Sequence, residues 1–280
     1  MNQAVTEVEI DKYADGEITT AADILAIEEP LEMKLVHGKS HERQITNVSI
    51  TMRTPGNDLE LTVGFLFTEG IITHIYQLQP EKFNGKYSMP NVIQIECDEN
   101  LEIDKKLLQR NFYTTSACGV CGKASIDAIF SLTGAPKKNN DFIIGAATVI
   151  RLPELLSAQQ EIFKHTGGIH AAALFSKDGL LLEMREDIGR HNALDKLIGS
   201  YLLKSTDHNI IPEGSILLLS GRASFELIQK SAMAGISVIS AIGAPSSLAV
   251  ETAKRFGITL IGFSRHNRFN IYSNPHRIQL

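Results

Sequence analysis

The last third of the sequence constrains the fold most. Ile216 to Leu219 is a continuous apolar run, followed by Ser220-Gly221-Arg222 and a helical stretch from Ser224 to Ala234. Val238 to Ile242 reads as a second strand, followed by Gly243-Ala244-Pro245-Ser246-Ser247 and a helical stretch to Phe256. Thr259 to Gly262 is a third, followed by Phe263-Ser264-Arg265-His266-Asn267-Arg268. Short apolar strands alternating with helices predict a β-α-β-α-β parallel core with right-handed crossovers, buried on both faces. The loops that follow the strands then share one edge, where ligands bind in such sheets. Ala232 to Val250 is long enough to suggest a membrane span. Gly235, Gly243, Pro245 and Ser246-Ser247 interrupt it, so a buried strand between two helix ends is the better reading.

The remainder reads as a mixed α/β chain (α+β overall). Leu31 to Val36, Ile45 to Met52 and Asn91 to Cys97 look extended. Asp58 is placed as the N-cap of a helix that carries Leu61, Phe65 and Leu66 and ends near Gly70. Asp104 to Asn111 is polar and weakly helical, near an expected boundary between a smaller N-terminal α/β domain (1–112) and a second domain (113–280). Ile126, Ile129, Phe130 and Thr133 mark a helix that stops at Gly134-Ala135-Pro136. Pro153 is expected to open another that ends at Gly167-Gly168. Lys177-Asp178-Gly179 reads as a hairpin turn, and Asp187 to Leu203 as mostly helix.

Charge and cysteine count exclude several classes. Lys plus Arg number 27 against 32 Asp plus Glu, a formal charge of −5. A protein that grips nucleic acid by its phosphates usually carries a basic excess, so no broad nucleic-acid surface is expected; a local basic pocket stays open. Met1 to Thr20 is acidic, with neither the basic start nor the apolar core of a secretory signal. Three cysteines cannot form a disulfide framework, which favours a reducing, cytoplasmic compartment.

Cys118 and Cys121 are the sharpest chemical feature. They sit in Thr114-Thr115-Ser116-Ala117-Cys118-Gly119-Val120-Cys121-Gly122, a small-residue loop leading into a helix. A thiol facing a helix start is acidified and becomes a nucleophile. The bland alternative is two small residues in a tight turn. Zinc is disfavoured, because a closed site needs four ligands and only Cys97 remains. A zinc deaminase is disfavoured too: no His-x-Glu precedes the pair, and Ala117 stands where proline belongs. No permanently bound metal is expected.

Two further clusters are polar. Arg185-Glu186-Asp187-Ile188-Gly189-Arg190-His191-Asn192 is either a solvated cap with Asp187 near the N-cap or a pocket wall containing His191. Thr166-Gly167-Gly168-Ile169-His170 either approaches a ligand or ends a helix. The strand-end loops carry Ser220, Arg222, Ser246, Ser247, Arg265 and Arg268. Hydroxyls and guanidiniums at helix starts along one edge suit phosphates, although no dinucleotide or P-loop fingerprint occurs.

Together these motifs resemble the formate dehydrogenase accessory sulfurtransferase family, FdhD. The resemblance rests on Ser116 to Gly122, Thr166 to His170, Arg185 to Asn192, Ser220 to Glu226 and Ala244 to Val250. It runs from about Ile45 to the C-terminus. A departure is Gly243, where the family pattern has serine; it removes one candidate hydroxyl contact. The resemblance implies a cytidine-deaminase-like C-terminal domain, a smaller N-terminal α/β domain and a homodimer. It implies a sulfur carrier: a cysteine desulfurase passes persulfide sulfur to the Cys-x-x-Cys loop, with Cys118 carrying it and Cys121 assisting. The sulfur then reaches the molybdenum or tungsten of a bis-molybdopterin guanine dinucleotide cofactor, which formate dehydrogenase needs for activity. By motif position, Phe263, Ser264, Arg265, His266, Asn267 and Arg268 bind that cofactor. On the residues themselves, Arg222 suits its pyrophosphates, Ser246 and Ser247 offer hydroxyls, and His191 is a further candidate.

Two rivals from other classes remain. A thiol–disulfide oxidoreductase would use the same Cys-x-x-Cys with Cys121 as an indispensable resolving thiol. A non-enzymatic nucleotide-binding scaffold would be indifferent to loss of either cysteine.

Overall fold

The structure is a computed structural model that describes residues 4–79, 90–101, 103, 142–204, 211–265 and 267–280. The cysteine loop at 114–122, the helix expected over 126–133, the stretch 104–111 and His266 lie outside the described residues.

The first element is one the sequence reading did not anticipate. Strands β1 (Val5–Ala14) and β2 (Glu17–Ala26) form a separate antiparallel ribbon, with Ala14 paired to Glu17. Asp15 and Gly16 make its two-residue turn at φ 53° and 90°, the left-handed pair that Asp-Gly favours in tight hairpins. A three-stranded sheet follows, in the order β4-β3-β5. Strand β3 (Glu29–His37) runs antiparallel to β4 (Gln44–Arg53) and parallel to β5 (Val92–Glu96).

Helix α1 (Asp58–Thr68) corrects one expectation. Its N-cap is Asn57, in a left-handed conformation at φ 57°, and Asp58 lies inside the first turn. The Asp58 carboxylate is occupied elsewhere. Arg53 donates to it twice, from Nε at 3.0 Å and from Nη2 at 2.9 Å, with both side chains buried.

After β6 (Ile144–Gly145), helix α2 (Ala146–Gln159) contains Pro153 in its interior instead of starting there. Proline removes one backbone donor and strains the preceding turn. Val149, Leu152 and Leu156 on one buried face hold the helix together across it. The short helix α3 (Glu161–Thr166) then ends at Gly167, whose φ of 63° suits glycine. The Gly167-Gly168 pair therefore terminates a helix, as the blander reading had it.

Six strands form the main sheet, in the order β12-β11-β10-β9-β7-β8. The hairpin β7 (His170–Phe175) and β8 (Leu181–Asp187) turns at Lys177 to Gly179, as expected. Asp187 ends β8, and helix α4 (Arg190–Lys204) begins three residues later than the sequence suggested. The parallel core is present as read: β9 (Ile216–Leu219), α5 (Phe225–Met233), β10 (Val238–Ala241), α6 (Ser247–Arg255) and β11 (Thr259–Arg265). The stretch after the third strand is not an open loop. Strand β11 continues to Arg265, and β12 (Arg268–Ser273) returns antiparallel beside it. The last strand, β13 (Ile278–Gln279), pairs with β6.

Both faces of the sheet are covered, as its parallel strands require. Leu217, Leu219, Ile239 and Leu260 face one apolar cluster that also includes Leu61 of α1 and Leu194 of α4. Leu218, Val238 and Ile261 face the other, against Val149, Leu152 and Leu156 of α2. Helices α1 and α4 cross at glycines: a Cβ on Gly64 would lie 1.9 Å from the Asp195 carbonyl oxygen, and one on Gly199 would lie 1.8 Å from that of Glu60.

Candidate functional site

The segments after β9 and β10 and the second half of β11 are stitched into one continuous edge by main-chain hydrogen bonds. Gly243 N–H donates to the Gly221 carbonyl at 2.9 Å, and Phe263 N–H donates to the Gly243 carbonyl at 3.1 Å. Ala223 N–H donates to Ala244 and Ser246 N–H to Ala223, at 3.2 and 3.0 Å. Arg222, Ser246, Ser247 and Phe263 are thus brought together at the carboxyl ends of the parallel strands. The spacing also accounts for Gly243: a Cβ there would meet Arg222 main-chain and side-chain atoms at 3.0 Å.

The hydroxyls on this edge are partly used by the fold. Ser220 Oγ accepts the Ala171 N–H at 2.8 Å, tying β9 to β7. Ser246 is the N-cap of α6 and accepts the Ala249 N–H at 3.2 Å. Ser247 is exposed at the first position of that helix. Ser264 is fully buried, and its Oγ has no hydrogen-bond partner.

The guanidiniums are not used by the fold. Arg222, Arg265 and Arg268 are exposed and form no ion pair among the described residues. Arg265 lies over the Phe263 ring, 5.9 Å from its centroid. Phe263 has a φ of 52° and Asn267 one of 42°, both in the left-handed region, so the chain kinks twice around this hairpin. Arg265 and Arg268 face each other across it.

The 185–192 motif divides into structural and unsatisfied halves. Arg185 grips Glu60 of α1 through Nε at 2.6 Å and Nη2 at 2.9 Å. Glu186 receives the Ile162 and Phe163 N–H groups at the start of α3. Asp187 and Asn192 are buried: Asp187 accepts from Gly189 and Thr54 N–H, while Asn192 donates to the Met52 carbonyl. Arg190 Nε is enclosed without a hydrogen-bond partner, and His191 lies against the start of α5. His191 Nε2 lies 3.3 Å from Ser224 Oγ and 3.9 Å from a Glu226 carboxylate oxygen. Burial, with Lys230 and Arg190 adding positive charge, pushes the His191 imidazole down to about 4, so it is neutral at physiological pH.

His170 and Arg190 were not singled out individually from the sequence. His170 packs under Gly221, where a Cβ would sit 3.3 Å from the ring. Its pKa is lowered by burial, then by the charge of Arg190, with Arg222 adding to this and Asp187 opposing it. The signal available in sequence was only that both residues flank motif glycines.

Below this edge, α4 and α5 share a buried ion cluster. Lys230 Nζ donates to Glu69 at 2.7 Å, Thr68 at 2.9 Å and Asp195 at 3.0 Å. Burial disfavours its charge, but Asp195 and Glu69 more than offset this and hold it protonated. Among the described residues no group of His, Cys, Asp or Glu is arranged to hold a metal ion. No helix among them is long and apolar enough to cross a membrane.

Comparison with known proteins places this geometry among relatives. The model of the FdhD/NarQ family matches residues 26–279. The chain is 41% identical to the sulfur carrier protein FdhD of Streptomyces coelicolor, over all of this chain and 98% of that protein. It is 42% identical to the protein of that name from Mycobacterium tuberculosis, covering 99% of this chain and 100% of the other. A third, from Picrophilus torridus, is 44% identical over 91% of this chain and 92% of its own length. A crystal structure from Desulfotalea psychrophila, provisionally described as a formate dehydrogenase accessory protein, shares the fold with a TM-score of 0.73. It is 24% identical and covers 99% of this chain and all of that one.

Proposed function

The chain belongs to the FdhD/NarQ family, and from that premise we propose that it is a sulfur carrier for formate dehydrogenase maturation, acting in the cytoplasm as a homodimer. Cys118 takes the sulfur from a cysteine desulfurase. Its thiolate attacks the outer sulfur of the donor's persulfide; the donor S–S bond breaks, the donor leaves as a thiolate, and a new S–S bond forms on Cys118. Cys121 assists the onward transfer. The recipient is the molybdenum or tungsten of bis-molybdopterin guanine dinucleotide, which this protein handles as cargo.

The observation that carries the reading is the strand-end edge. Arg222, Arg265 and Arg268 present guanidiniums that no carboxylate among the described residues neutralises, beside the start of α6. Guanidinium forks and helix N-termini recognise phosphate oxygens, and a guanine dinucleotide carries pyrophosphates. Cys97 is unsuited to carry sulfur: burial pushes its thiol up to about 12.

The test is intact-protein mass spectrometry after incubation with a cysteine desulfurase and L-cysteine. Wild type is expected to gain one sulfur atom, removable by reductant, and Cys118→Ala to gain none. A Cys118–Cys121 disulfide with no sulfur gain in any variant would replace this reading with a thiol–disulfide oxidoreductase.

A further inference from the structure

The β1–β2 ribbon carries the net charge of the molecule. Residues 5–26 hold six carboxylates and one lysine, a formal charge of −5, which equals that of the whole chain; the rest of the sequence balances. In the body, carboxylates are matched by cations: Glu60 by Arg185, Glu69 by Lys230 and Glu96 by Arg43. In the ribbon no carboxylate forms an ion pair among the described residues; Asp11 accepts from the Thr20 hydroxyl and Asp23 from the Ile24 N–H.

The register sorts these groups by face. Paired residues share a face and neighbours along a strand alternate, so Glu7, Glu9, Asp11 and Tyr13 stand in one row, with Ile18 directly across from Tyr13. All five are exposed. Successive members of the row are about 7 Å apart. Lys12 is on the opposite face, which also holds the half-buried Val8, Ile10 and Ala21.

The outer edge of β1 is open as well. Strand β1 pairs with β2 alone, and α3 packs against β2. A two-stranded ribbon is marginal by itself in water, and an open edge is a template for a further strand. Like charges facing each other across strands are destabilising, so this row turns away a second copy of the ribbon. It also repels nucleic-acid phosphates and anionic membrane surfaces. An extended segment with cations at alternate positions repeats at the spacing of the row and neutralises it.

We infer that β1 is a docking strand for an extended basic segment of a partner protein. The segment adds to the open edge with Lys or Arg side chains opposite Glu7, Glu9 and Asp11 and an apolar side chain against Tyr13. Main-chain hydrogen bonds supply the affinity of such strand addition, and the alternate side chains supply its selectivity. The charge pairs speed encounter and make it sensitive to salt. This inference is independent of the sulfur-transfer reading and stands or falls without it.

Fluorescence anisotropy on the full chain tests it with labelled peptides at about 50 mM salt, where surface charges are weakly screened. The probe is Leu-Thr-Lys-Thr-Lys-Thr-Lys. Its controls are a peptide of the same composition with the three lysines consecutive, and a counterpart with Glu in place of Lys. Wild type is expected to bind the alternating peptide about fivefold more tightly than the consecutive one, and the acidic one not at all. Glu7→Gln/Glu9→Gln/Asp11→Asn is expected to weaken the alternating peptide about tenfold. Asp15→Asn/Glu17→Gln/Asp23→Asn removes the same charge from the turn and the opposite face, and is expected to bind as wild type does. Equal weakening by the two triple variants, or equal affinity for the alternating and consecutive peptides, would reduce the effect to bulk charge attraction and overturn the docking strand. No binding of the alternating peptide by wild type would also overturn it, and would leave the acidic row as a guard against edge pairing.

Discussion

Asp187 Oδ2 and Lys196 Nζ lie 2.7 Å apart, and neither side chain is more than 2% exposed. One ends a strand and the other sits two turns into the next helix, so the pair fixes how α4 leaves β8. Lys196 also donates to the Thr54 carbonyl at 2.8 Å, and Asp187 accepts the Thr54 N–H at 3.2 Å. The same two side chains therefore anchor the chain beyond β4 against α4. Arg190 and His191 lie between the two ends of this joint.

Removing one member leaves the other charged and buried. Lys196→Met is expected to cost about 3–5 kcal/mol of stability, the usual penalty for an uncompensated buried charge. Urea unfolding followed by circular dichroism would measure it. A loss under about 1 kcal/mol would mean that Asp187 finds another partner or that water reaches it.

The crossing of α1 and α4 gives a steric prediction. Gly64→Ala and Gly199→Ala each place a methyl carbon under 2 Å from a main-chain oxygen of the facing helix. Main chain cannot rotate away as a side-chain end can, so the helices must separate. Each variant should lose about 3 kcal/mol or more, at the upper end of overpacking costs. Coexpression yield and thermal unfolding would read the loss, and near-wild-type stability would show that the two helices can slide.

How much of this was legible in sequence depended on whether a pattern was local. The β9-α5-β10-α6-β11 run was readable because each strand has a short, largely apolar and buried stretch bounded by glycine or polar loop residues. The β1–β2 ribbon was missed because most of its residues are exposed, Tyr13 and Ile18 among them at 72% and 69%, so no buried face marks it. Only Asp15-Gly16 signalled the turn. Pro153 misled for the opposite reason: a strong local breaker lost to the packing of Val149, Leu152 and Leu156. The site was legible in its residue types and not in their division of labour. Glu60, which holds Arg185, and Thr54, which holds Asp187, are 125 and 133 residues away in the chain.

His191 gives a pH prediction whose sign follows from its burial. Its folded value lies near 4 against an ordinary 6.5, so between these the unfolded chain binds a proton that the native ring refuses. Stability from this group is complete above about pH 6.5 and is lost as pH falls toward 4. Wild type should therefore lose more stability between pH 7 and pH 5 than His191→Gln, measured by urea unfolding at both. The imidazole resonance of His191 should also titrate far below those of exposed histidines; a midpoint near 6.5 would refute the depressed value.

Cys97 separates the sulfur-transfer reading from a trivial alternative. Its N–H donates to the Val36 carbonyl at 2.8 Å, and its own carbonyl accepts from Arg43 at 2.9 Å. Its side chain is fully buried, and burial, aided by Glu96 against the opposing charge of Arg43, pushes the thiol up to about 12. Since the thiolate is the reacting form, this sulfur should be inert at about pH 8. In the Cys118→Ala/Cys121→Ala double variant, iodoacetamide is expected to add nothing to the native protein and one label after denaturation, as counted by mass spectrometry. Native labelling would make Cys97 a competing sulfur acceptor, and any persulfide seen on wild type would then need to be mapped by peptide before it could be credited to Cys118.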